Sequence, residues 1–125
     1  MTLPKVTDAE MIDTLKAVVA EKPDYVYGAP EHMADGTGQC YYVHTDAENE
    51  EKLAPGCLVG VALNRLGVPL ETLQKHEADN AFCVIGRVVE GISDVALEFA
   101  HLLQIRQDNG ATWGEALAYV EARKG

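Results

Sequence analysis

The chain has few groups with which to grip phosphates: ten Lys and Arg stand against twenty Asp and Glu, a net charge of −10. Nucleic-acid affinity comes largely from basic side chains that displace counterions, so direct nucleic-acid binding is disfavoured. No apolar run approaches the ~20 residues needed to cross a bilayer. The start, Met1-Thr2-Leu3-Pro4-Lys5, lacks the basic region and apolar core of a secretory signal, which points to the cytoplasm and away from membranes. Cysteine is sparse, at positions 40, 57 and 83. Secreted disulfide scaffolds use paired cysteines at higher density, so these read as reduced thiols. There is no C-x-x-C, no H-x-x-x-H, no internal repeat and no low-complexity tract, and no cofactor is expected.

What is present is enough for one domain, residues 1–125, with a hydrophobic fraction of 47% to fill a single core. Charge is unevenly spread. Residues 1–60 hold 11 acids against only Lys5, Lys16, Lys22 and Lys52. From Asp24 to Glu51 there are seven acids and no Lys or Arg, a field that attracts a cationic surface.

Thr7 and Glu10 form a capping-box pair ahead of Met11, Ile12, Leu15, Val18 and Val19, which predicts a helix over 7–21 that Pro23 stops. Tyr25–Tyr27 and Gln39–His44 suit short strands around the turn-forming Asp35-Gly36-Thr37-Gly38, so a loose hairpin is expected between them. Residues 56–66 read as a short helix with Gly67 as its C-terminal cap. Gly56 and Gly60 share one face of it, which would let another backbone approach closely. A helix starts near Leu70 and ends near His76. Residues 81–92 fit a helix by the spacing of Phe82, Ile85, Val89 and Ile92 but carry the β-branched content of a strand; helix is preferred, for want of a neighbouring strand. Ser93 or Asp94 opens a helix to residue 107, and Thr112 with Glu115 opens the last one through a second capping box. The fold class is therefore mainly α (α+β), with five or six short helices and a small hairpin or irregular strand pair near residues 25–44.

Three blocks carry a resemblance. They are Gly38-Gln39-Cys40-Tyr41-Tyr42-Val43, then Pro55-Gly56-Cys57-Leu58-Val59-Gly60 with Leu63, Leu66, Gly67 and Val68, then residues Gln107 to Leu117. Through them the chain, over about residues 15 to 122, resembles an uncharacterised family of small proteins from actinobacteria and their bacteriophages, of the mycobacteriophage accessory type. The resemblance implies a context, a phage or actinobacterial cytoplasm, and implies that the two cysteine blocks belong together. It implies no activity.

Cys57 at a helix start is a candidate nucleophile, since the helix dipole favours a thiolate there, with His44 or His32 as its base. Papain-like peptidases and amidases also begin a helix with their cysteine, but their histidine follows on a strand, whereas His76 and His101 fall in helical segments here. The plainer reading makes Cys57 a small core residue. Cys40, Cys57 and His44, with Cys83 or His32, are chemically suited to zinc but lack the usual ligand spacing. Asp46, Glu48, Glu50 and Glu51 lack the glycine and spacing of a calcium loop and read as a solvated acidic stretch. That stretch, with Tyr41 and Tyr42, is the expected binding surface, because tyrosine is enriched where surfaces meet and the acids suit a basic host or phage protein. Alternation along a strand places Tyr41 and Tyr42 on opposite faces. The expected function is thus a small non-enzymatic binding protein. The alternative is a thiol-dependent enzyme or metal-binding protein centred on Cys40 and Cys57.

Overall fold

A computed structural model describes residues 3–28, 41–45, 48–49, 52–76 and 81–124. Among them, six helices run α1 (Asp8–Glu21), α2 (Leu58–Arg65), α3 (Leu70–Gln74), α4 (Ala81–Val88), α5 (Asp94–Asp108) and α6 (Trp113–Lys124). Two short strands, β1 (Val43–Thr45) and β2 (Leu53–Pro55), lie between α1 and α2. The fold is mainly α with a small β-hairpin.

Local chemistry sets the helix ends. At α1 the Thr7 hydroxyl accepts the Glu10 N–H at 3.1 Å while the Glu10 carboxylate accepts the Thr7 N–H at 3.0 Å. Thr112 and Glu115 repeat the arrangement at α6, both bonds at 3.0 Å. Each box satisfies amides that the first helical turn leaves without partners. Gly67 and Gly110 take positive φ just beyond α2 and α5, and the bonds from Val68 N–H to Leu63 and from Ala111 N–H to Arg106 close both helices in Schellman fashion. Asp8 in the first turn of α1 also accepts the N–H of Ser93 at 2.8 Å and bonds its hydroxyl, so the starts of α1 and α5 are tied together.

The core gathers on α1. Its buried stripe, Met11, Leu15, Val18 and Val19, is packed by α2, α5 and α6. Leu58, Leu63, Ile85, Phe99, Leu103 and Trp113 complete one continuous cluster. At the rim, Arg65 forks onto the Glu21 carboxylate and joins the end of α2 to the end of α1.

Two expectations need correction. The strands pair Val43 with Pro55, His44 with Ala54 and Thr45 with Leu53, so β1 finds its antiparallel partner downstream. Tyr25–Tyr27 does not join it: Val26 forms an isolated bridge with Thr112, because Tyr25 O accepts the Trp113 N–H at 2.9 Å and its ring meets the indole edge-on at 4.8 Å. Gln39 and Cys40 lie outside the described residues. Second, the segment 81–92 is helical only to Val88. Beyond it, Glu90 pairs with Lys5 in a parallel bridge, with Glu90 N–H donating to Pro4 at 2.9 Å and Val6 N–H returning to Glu90 at 2.8 Å.

Candidate functional site

The segment between the cysteines enters the fold through the start of α2. Tyr41 and Tyr42, just ahead of β1, cross it, and their carbonyls accept the N–H groups of Cys57 at 3.0 Å and Gly56 at 2.9 Å. The approach is close enough that a methyl group on Gly56 would collide with the Tyr41 carbonyl, and one on Gly60 with the Tyr42 backbone. The two glycines are the seat on which this segment rests, the close backbone approach expected of them, although Gly56 lies just before α2 and only Gly60 within it.

The same helix start is filled from the other side. Gln107, buried at the end of α5, turns its Oε1 to accept the Leu58 N–H at 2.9 Å and the Trp113 indole N–H at 3.1 Å. One side-chain oxygen thereby joins α2, α5 and α6. The Leu58 N–H in the first turn of α2 and the N–H groups of Gly56 and Cys57 just before it thus all reach protein acceptors.

Cys57 is the N-cap of α2, and its side chain is 0% exposed. Its sulfur accepts from Gln104 Nε2 at 3.6 Å. This placement opposes the nucleophile reading, because a catalytic thiol must meet its substrate. His44 lies on the outer side of the seat, its ring against Gly56, and its Nε2 shares a 2.8 Å hydrogen bond with the Tyr27 hydroxyl. That hydroxyl also accepts the Tyr41 N–H at 3.0 Å. Tyr27, His44 and Tyr41 therefore form one polar knot that fastens residues 25–28 to β1.

Of the proposed zinc ligands, Cys40 and His32 lie outside the described residues, Cys57 is enclosed, and Cys83 is exposed on α4. Among the described residues no three His, Cys, Asp or Glu side chains are placed to hold a metal. Of the expected binding residues, Tyr42 is 1% exposed and belongs to the core. It is withdrawn from any surface because the strand's inner face packs on α2. Tyr41 is half-buried and Glu48 is exposed, while Asp46, Glu50 and Glu51 lie outside the described residues. Gln104, Gln107 and Tyr27 were not anticipated. Only Tyr27 carried a signal, as one of four tyrosines in the region.

No helix among the described residues is long and apolar enough to cross a membrane. Comparison with protein-family models, with curated proteins and with solved structures found no match.

Proposed function

We propose that the chain is a small non-enzymatic binding protein, an accessory factor of phage or actinobacterial type, that meets a basic host or phage protein through the sequence joining β1 to β2. The observation that supports this reading is the combination of a fixed base and an acidic connection. The base is held by the β1–β2 pairing, by the glycine seat under Tyr41 and Tyr42, and by the Tyr27–His44 bond. The connection, residues 46–52, contains Asp46, Glu48, Glu50 and Glu51 against the single base Lys52. Anchoring both ends of a charged loop lowers the ordering cost of binding, and its charge raises the rate of encounter with a cationic surface.

The test is capture from a host lysate with a charge-matched control. Replacing Glu48, Glu50 and Glu51 with Gln should abolish capture of the partner and the salt dependence of that capture. Neutralising three exposed acids elsewhere, Asp13, Glu71 and Asp94, should leave both intact. Undiminished capture by the loop variant would overturn the proposal, as would loss of capture in a folded Cys57→Ala variant with the loop untouched.

A further inference from the structure

The helices α5 and α6 pack against one another through the turn at residues 109–112, and at their far ends they enclose a shallow groove. It has a volume of about 190 Å³ and is lined by Val95, Glu98, Phe99, Leu102, Val120 and Arg123. Ligand pockets usually measure ~300–1,000 Å³, so this one is sized for a partner's side chains. Large apolar side chains are exposed on these two helices: Val95 is 58% exposed, Ile105 39% and Tyr119 36%, the Tyr119 ring being faced by the Arg106 and Arg123 guanidinium groups.

On α5, residues 95, 98, 102 and 105 follow alternating steps of three and four, the spacing of a helix-packing seam. The opposite face of α5 is already occupied in the core by Ala96, Ala100, Leu103 and Gln107. Val95 and Ile105 thus face out of the fold along a second seam, with the half-buried Leu102 between them and Glu98 as its one charged member.

Charge indicates the occupant. Residues 94–124 hold five acids against three bases, −2 of the total −10, so two copies repel less through this hairpin than through residues 24–51, which hold seven acids and no Lys or Arg. Glu98 and Arg123 border the groove with opposite charges, yet neither contributes to the ion pairs found among the described residues, Lys16–Glu121 and Arg65–Glu21. An isologous interface places each residue against its complement on a second copy.

We infer that the α5–α6 face is a self-association surface, on which two copies pack Val95, Leu102 and Ile105 about a twofold axis with Glu98 of each copy opposite Arg123 of the other. One face of a helix pair lies at the small end of specific interfaces, ~1,200 Å² in total, so the dimer is expected to form at micromolar concentrations. The 46–52 connection takes no part in it, and the two proposals fail separately.

Sedimentation velocity on the full chain, diluted from near-millimolar to low micromolar, tests this directly. The wild type should pass from dimer to monomer. Glu98→Arg or Arg123→Glu alone should weaken association about tenfold or more, since each reversal places like charges together at two symmetric positions. Both sites are exposed, so the folded state, followed by circular dichroism, should be unchanged. The double variant Glu98→Arg/Arg123→Glu should restore association. A wild type that remains monomeric throughout, dimers indifferent to either reversal, or a double variant no better than the singles would each overturn the inference.

Discussion

Adding one methyl group at Gly60 and at Gly86 should change stability in opposite directions. Both glycines lie within helices, where alanine is preferred by about 1 kcal/mol. At Gly86 on α4 nothing lies within 4 Å of the added carbon, so Gly86→Ala should stabilise the protein by up to that amount. At Gly60 the carbon would meet the Tyr42 carbonyl group and lie 2.9 Å from its Cα, atoms of buried backbone that cannot rotate away. The strand must lift, at an overpacking cost of roughly 1–3 kcal/mol. The bonds from Gly56 and Cys57 to Tyr42 and Tyr41 weaken with it, at about 1 kcal/mol each. Set against the helical gain, Gly60→Ala should lose about 2–4 kcal/mol, a large share of the ~5–15 kcal/mol that holds a typical domain. Urea denaturation followed by Trp113 fluorescence reads this as a midpoint lower by roughly 1–2 M for an ordinary slope. If Gly60→Ala proved as stable as the wild type, the strand would not be seated on α2 as described.

Gln107→Met keeps the volume but removes the oxygen shared by the Leu58 and Trp113 N–H groups, and should cost about 3 kcal/mol in the same urea assay with a shift in indole emission. In a Cys40→Ala background, a thiol reagent should modify Cys83 rapidly in the native protein and Cys57 only on unfolding; rapid labelling of both would contradict the enclosure of Cys57. The Glu115 carboxyl is held below its ordinary value of 4.5 by the Thr112 backbone N–H, then by the Thr112 hydroxyl. Its ionised form therefore favours the fold above that value, and this contribution fades as pH falls below it. Glu115→Gln keeps the box without the charge, so any advantage of the wild type over it in thermal melts near neutrality should vanish in acid.

The sequence was most legible where structure is made by neighbours. Both capping boxes, the Ser93 cap and the glycine stop at 67 depend on residues within a turn of one another, and each appears where its residues predicted. The glycine seat was legible in part: the spacing of Gly56 and Gly60 pointed to a close backbone approach, although Gly56 lies just before α2 and only Gly60 within it. The hairpin partner was not. Strands of three residues are too short to show a period, and Pro55, which cannot donate to a ladder, closes β2 directly ahead of the helix read from residue 56. Alternation separated Tyr41 from Tyr42 but could not say which turned inward, since that is decided by α2. Gln107 was invisible for a related reason. A glutamine at a helix end reads as solvated, and only the meeting of three helices gives its oxygen two buried donors.

The central position of α1 has a consequence for synthesis. This helix is made before all three helices that cover its apolar stripe, and two of those, α5 and α6, follow it by more than seventy residues. Until residues 93–108 leave the ribosome, Met11, Leu15, Val18 and Val19 have, of these three helices, only α2 against which to pack, and the Asp8–Ser93 clasp has one jaw. A nascent chain of this protein therefore carries a greasy, half-sheltered helix until α5 emerges, and its closure waits on α6.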